Sequence, residues 1–169
     1  MSKIFFTSDT FFGRTLKAKE RGFSTSEEMD DILIDNWNQV VGDDDIVFHL
    51  GNFSWDPISA EGAIIHLKGN IRFVGGSYDK HLSGVSLIQI GRHHLLPLIS
   101  YIPKQKMVLS HWPLMDWDDK DQDTLHIHGG KLHHNLEDGY RFNANCDKWG
   151  LKPIELETLK DIIESKKSQ

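Results

Sequence analysis

The chain opens on a short apolar run, "KIFF", followed at once by the polar, turn-forming "SDTFFGR". Such a run bounded by turn signals predicts a buried strand, and a polar loop is expected through Lys17 to Phe23. From Ser24 the pattern changes period. In "STSEEMDDILIDNWNQVV" the residues Met29, Ile32, Leu33, Asn36/Trp37 and Val40 recur on one face, and Ser24 with Glu27 has capping-box spacing, so a helix is predicted. "GDDD" breaks it. "IVFHLGNF" then predicts a strand running into a turn, "ISAEGAIIHLKG" a shorter helix ending before Gly69, and "NIRFVGGSYD" a third strand with its turn. This βαβαβ alternation predicts a largely parallel sheet whose strand-end turns gather at one edge.

Beyond Lys80 the segments become short and β-like. "VSLIQI", "HLLPLISYI", "KMVLS", "TLHIHG" and "YRFNANC" are separated by Gly, Pro and polar turns, which predicts a second run of strands. "IELETLKDIIESKKSQ" predicts a C-terminal helix with a basic end suited to its dipole. The expected fold is therefore one α/β domain over 1–169, a two-sheet αββα sandwich with helices on its outer faces.

Composition narrows the function. With 25 acidic and 19 basic residues the net charge is −6, which disfavours broad attraction to nucleic acid. The single cysteine, Cys146, removes any intramolecular disulfide and suits a reducing compartment. With no leader pattern and no apolar run of bilayer length, a cytoplasmic protein without a membrane partner is expected. Histidine stands out with ten copies, several in short clusters such as His126, His128, His133 and His134.

Four strand-end turns carry the candidate chemistry: "SDTFFGR", "HLGNFSW", "GGSYDK" and "LSHWP", with "HIHGGKLHH" and "NANCDKWGLKPI" behind them. In order and spacing these resemble the calcineurin-like metallophosphoesterases, in particular their small bacterial and phage-type branch. The resemblance covers nearly the whole chain and implies the metallophosphoesterase type of sandwich. It also implies a pair of divalent cations, ~3.5–4 Å apart, that clamp a phosphate and generate a hydroxide. Carried across residue by residue, that pattern is damaged. Asp9 matches the first Asp, but the His two residues on is Phe11. The bridging Asp is Asn52. The Asn ligand and the catalytic His of the next turn are Ser77 and Tyr78, although Gly76 and Asp79 remain. His111 matches the lone His ligand, and the last two His positions hold Gly130 and Leu132.

A neutral Asn52 cannot supply the anionic bridge between two dications, and Phe11, Gly130 and Leu132 offer no ligand. The resemblance with these losses implies a pseudoenzyme with a vestigial site at Asp9, Asn52, Ser77, Tyr78 and His111 and no resident cofactor. Phe11, Arg14, Asn52, Trp55, Tyr78 and Trp112 would then form an aromatic-rich edge for a protein partner or a nucleotide-like ligand, in a phage-type sequestering or inhibitory role; an oligomer is compatible with this. The alternative is a weak metal-dependent phosphoesterase, using Mn or Zn, whose site is reduced or rebuilt from Asp9, His111, His126, His128 and His133. Two simpler roles stand beside these: Asp79 pinning a tight turn by accepting backbone N–H groups, and His49 as a hydrogen-bonded core histidine.

Overall fold

The computed structural model describes residues 2–90, 93–131 and 140–167. Strands β1 (Ile4–Thr7), β2 (Ile46–His49), β3 (Asn70–Val74) and β4 (His94–Leu96) run parallel in one sheet, and β9 (Ile154–Glu155) pairs antiparallel with β1 at its far edge. In the second sheet β5 (Ile99–Ile102) is antiparallel to β6 (Met107–Ser110), which continues in parallel to β7 (Leu125–His128) and β8 (Arg141–Asn143). Among the described residues five α-helices complete the fold: α1 (Thr15–Glu20), α2 (Ser26–Val40), α3 (Pro57–Ile64), α4 (Ser86–Ile90) and α5 (Leu156–Lys167).

Period-2 alternation on the strands divides the interior in two. Phe5, Val47, Ile71 and Phe73 pack outward against Met29, Leu33 and Trp37 of α2 and against α3 and α4. Their neighbours Phe6, Phe48 and Val74 face the other way and meet Leu109, Ile127 and Phe142 of the second sheet, with Leu159 and Ile163 of α5 alongside. The chain is thus an α/β fold of two mixed sheets with helices, as the alternation predicts. Among the described residues no helix is long and apolar enough to cross a membrane.

Several local expectations are revised. Lys17 to Glu20, expected as loop, belong to α1; the helix has six residues and buries Ala18 alone, too little for a period to register. "VSLIQI" is not a strand but the approach to α4, where Val85 and Ile88 are buried at helical i, i+3 spacing. "HLLPLISYI" is two strands in two different sheets, broken at Pro97, which has no N–H to continue a ladder. Finally, the outer face of the second sheet, bearing His126 and Arg141, is covered among the described residues by Trp117 rather than by a helix. The cap of α2 also sits one residue later than expected: Glu28 N–H donates to Thr25 Oγ1 at 3.1 Å, and the Glu28 carboxylate accepts from Ser24 N–H at 2.8 Å. Its buried stripe is Ser26, Met29, Leu33 and Trp37, leaving Ile32 and Val40 exposed.

Candidate functional site

Because β1, β2 and β3 are parallel, their C-terminal ends point to one edge, and the turns after β6 and β7 of the second sheet arrive there too. Two of these turns are zipped together by backbone. Asp9 N–H donates to Gly51 O at 2.9 Å, Phe11 N–H to Asn52 O at 3.0 Å and Phe12 N–H to Phe53 O at 2.9 Å. The pairing holds Asp9, Phe11 and Asn52 at φ of 58°, 54° and 59°. Asp and Asn adopt this left-handed region readily, whereas Phe11 does so at a cost of about 1–2 kcal/mol that the zipper must offset. Gly51 is required here because its φ is +96° and a Cβ would clash with the His111 ring.

Asp9 and Asp79 each accept three hydrogen bonds. Asp79 accepts Asn52 N–H and Gly76 N–H on Oδ2, both at 2.6 Å, and Phe53 N–H on Oδ1 at 2.9 Å, so it pins the second turn to the third as the sequence suggests. Asp9, 4% exposed, accepts Ser8 Oγ–H at 2.7 Å and Gly130 N–H at 2.9 Å on Oδ2. Its Oδ1 accepts from Asn52 Nδ2 at 2.9 Å. The other proton of that amide points at His111 Nε2, 3.2 Å away, while Asn52 Oδ1 accepts Tyr78 N–H at 3.3 Å. The Tyr78 donor fixes which way the carboxamide faces. His111 Nδ1 donates to Leu50 O at 2.7 Å, which leaves Nε2 as the acceptor. Asp9, Asn52 and His111 therefore form one closed, buried set.

Arg21 supports this set from behind, with Nη2 on Asp9 O at 2.6 Å, Nη1 on Thr10 O at 2.8 Å and Nε on Asp147 Oδ1 at 2.6 Å. Burial works to raise the Asp147 pKa, but Arg21 and Lys17 outweigh it and hold the carboxyl below its ordinary value. Asn145 Nδ2 donates to Gly130 O at 2.9 Å and ties the last turn down. Sequence reasoning did not single out Arg21, Asn145 or Asp147. Their partners lie as far as 126 positions away in the chain, and no local spacing marks them.

The histidines separate. His49 is a core residue, its Nε2 2.9 Å from Thr10 Oγ1; Thr10 gives its own proton to Phe53 O, so His49 donates, and burial pushes its pKa down to about 3. His126 is committed at both nitrogens, donating to Val108 O at 3.1 Å and accepting Leu114 N–H at 2.9 Å, which removes it from any rebuilt metal set. His128 donates from Nδ1 to Gly129 O at 2.8 Å; burial lowers its pKa to about 4, and among the described residues its Nε2 finds no partner. Leu132 and His133 lie outside the described residues. Among the described residues no three His, Cys, Asp or Glu side chains gather so as to hold a metal ion.

Above this floor opens a cleft of about 710 Å³, lined by Phe11, Arg14, Ser77, Tyr78, Trp112 and Lys131 among others. Trp55 joins its rim by packing on Tyr78, ring centroids 5.7 Å apart. The candidate residues from five separate turns thus meet in one place.

No protein-family model matches the chain. Its fold is similar to that of the protein of unknown function AQ665 from Aquifex aeolicus, with a TM-score of 0.71 at 21% identity, covering 96% of this chain and 100% of that one. More distantly, it is similar to Pseudomonas putida nuclease MPE, with a TM-score of 0.51 at 11% identity over 75% of this chain and 60% of the nuclease. Identities this low speak to the fold alone. In sequence, the uncharacterized protein MJ1445 of Methanocaldococcus jannaschii is 32% identical over 184 aligned positions that span 99% of this chain and 94% of the relative. The chain belongs to the same family as this Methanocaldococcus protein.

Proposed function

We propose that this protein is a calcineurin-like metallophosphoesterase-fold pseudoenzyme that works by binding in its cleft, to a nucleotide-like ligand or a protein partner, without a resident metal pair. The observation that carries this reading is the Asn52 carboxamide. A dinuclear centre needs an anionic bridge at this position, and here an NH₂ group directs its two protons at Asp9 Oδ1 and His111 Nε2. Those are the lone pairs that cations would use. The amide does for Asp9 and His111 what a metal would do, satisfying both in a buried place where an unpaired acceptor costs about 1–3 kcal/mol. Turning the amide to offer its oxygen would break both bonds and the one from Tyr78 N–H. The donor set therefore does not fit a metal pair: Phe11 and Gly130 bring no ligand, and Ser77 is neutral and weak. The distant likeness in fold to a nuclease is in keeping with an ancestral phosphoesterase edge.

A second reading, a phosphoesterase with a rebuilt single-metal site, has one observation in its favour: His128 Nε2, which has no partner among the described residues. The two are separated by measuring bound manganese and zinc in the purified protein, together with hydrolysis of bis(p-nitrophenyl) phosphate in added manganese. The pseudoenzyme reading expects no metal-dependent turnover. Turnover that Asp9→Ala or His111→Ala abolishes would overturn it, and loss through His128→Ala as well would establish the rebuilt site.

A further inference from the structure

The rim of the cleft holds a charge that the floor does not use. The Arg14 guanidinium carbon lies 4.7 Å from the Phe11 ring centroid, 4.8 Å from that of Trp55 and 4.7 Å from that of Tyr78. Aromatic faces orient a guanidinium and stabilise its charge, yet they leave the N–H edge of the fork open. Among the described residues no carboxylate or carbonyl takes a hydrogen bond from that edge. Two neighbouring cations differ: Lys17 is neutralised by Asp147 at 3.2 Å and Glu20 at 3.3 Å, and Arg21 is spent on backbone carbonyls and Asp147. In a chain of net charge −6, an uncommitted arginine held in place by three rings is a local feature built against the overall sign.

Trp55, Tyr78 and Trp112 remain 48%, 42% and 47% exposed around the same opening. Large π faces left uncovered beside a free guanidinium match a ligand that is itself flat and anionic. The cleft volume of about 710 Å³ lies in the ~300–1,000 Å³ range of small-ligand sites.

We propose that the rim is a metal-independent site for a nucleoside phosphate, with the phosphate on the Arg14 fork and the base against the exposed rings of Trp55, Tyr78 or Trp112. A tetrahedral phosphate accepts two parallel N–H bonds from a guanidinium, and the rings supply stacking without base specificity. An acidic peptide would satisfy the fork but leave the ring faces unused, so the nucleotide is the better match. The inference rests on the reading of the cleft as a metal-free binding site and names what that site takes.

The test is titration of the full chain in EDTA with AMP, GMP, CMP and UMP, with the four nucleosides and with inorganic phosphate, followed by tryptophan fluorescence and calorimetry. At least one monophosphate is expected to bind roughly tenfold or more tightly than its nucleoside or than phosphate alone. Arg14→Gln should bring that monophosphate down to the affinity of its nucleoside and leave the nucleoside unchanged, whereas Trp55→Ala should weaken both. Arg14→Lys, which keeps the charge and loses the fork, should give an intermediate loss and stands in if Arg14→Gln does not fold. Failure of every monophosphate to bind overturns the proposal, and so does binding of an acidic peptide in their place. Binding in EDTA that Arg14→Gln leaves unchanged overturns the clamp alone. Binding that appears only with added manganese overturns the metal-free reading beneath it.

Discussion

The floor and the rim of the cleft are built from adjacent residues and have opposite character. On the floor, Asp9, Asn52 and His111 are 3–6% exposed and bonded to one another, to Gly130, to Leu50 and to Tyr78. A few ångströms above, Arg14 keeps an open donor edge and the Trp55 and Tyr78 rings stay half exposed. Buried polar groups must be paired, and the floor meets that demand with its own hydrogen bonds. A rim at the solvent boundary can keep donors in reserve because water covers them until a ligand arrives. The comparison teaches that residues adjacent in the chain can be closed on one another at the floor and open at the rim of the same cleft.

The comparison can be broken from the floor first. Asp79→Ala removes the acceptor of three backbone N–H groups, from Asn52, Phe53 and Gly76. A loss of about 3–5 kcal/mol in urea unfolding is expected, along with loss of any ligand binding. A drop near zero would mean that the turns hold themselves without Asp79, and the floor is not the base assumed here.

Asn52→Asp is the next largest. It places a second carboxylate beside Asp9 and removes both donated protons, so the metal-free protein should lose about 1–3 kcal/mol and neither bind manganese pairs nor hydrolyse phosphodiesters. Restoring Phe11→His, Asn52→Asp, Ser77→Asn, Tyr78→His, Gly130→His and Leu132→His together should recover manganese binding, read by calorimetry. Gly130 is its weak point, since φ there is +79° and a Cβ would meet His111 O at 3.3 Å. Asn52→Asp acting alone as a manganese-dependent phosphodiesterase would show that the floor is one substitution from activity.

At the rim, Trp55→Ala and Tyr78→Ala should change stability by less than about 1 kcal/mol, because both rings are already half in water. A larger loss in thermal unfolding would make the rings part of the core, not an open surface.

A smaller effect should appear in the pH dependence of stability. Asp30 accepts Gly13 N–H on both oxygens, at 3.1 and 2.9 Å, and so holds the turn that carries Phe11 and Arg14. Burial, with Glu27 and Asp31 nearby, raises its pKa to about 7 despite the opposing Gly13 bond. The folded state therefore binds more protons than the unfolded chain between about pH 4 and pH 7. The Asp30 contribution to stability is full below its unfolded pKa and lost as pH rises through about 7. Asp147 works in the opposite sense, its lowered pKa giving a contribution that is lost only as pH falls into the acid range. Melting temperatures of Asp30→Asn from pH 4 to pH 8 should fall less steeply than those of the parent. The smallest effect is chemical: Cys146, buried and pushed up to about 12, should resist thiol reagents at pH 8 until the protein unfolds.

Much of this was present in local pattern. Apolar runs closed by turns mark β1, β2 and β3, and the 3.6 period marks α2, because each element must bury one face and the chain writes that face at the element's own period. Asp79 and His49 can also be placed from sequence, since a carboxylate at a strand-end turn and a histidine inside an apolar strand have few ways to be satisfied. Other features depend on distance in space. Pro97 breaks "HLLPLISYI", but only the packed sheets decide that its halves join different ladders. His126 and His128 look equivalent on β7, and they are told apart by Val108 and Leu114 of other segments, which engage both nitrogens of His126. Asn52 reads as a missing charge, and its role as donor appears once Asp9, Tyr78 and His111 arrive from three other turns to orient the amide. The sequence places Arg14 at the candidate edge, but the closing of Phe11, Trp55 and Tyr78 around its guanidinium is a contact in space. The chain by itself determined β1, β2, β3 and α2 and which chemical groups sit at the strand ends. Which groups neutralise one another, and which keep an open donor edge, was decided by tertiary structure, because hydrogen bonds and π contacts act over a few ångströms between residues that the sequence keeps far apart.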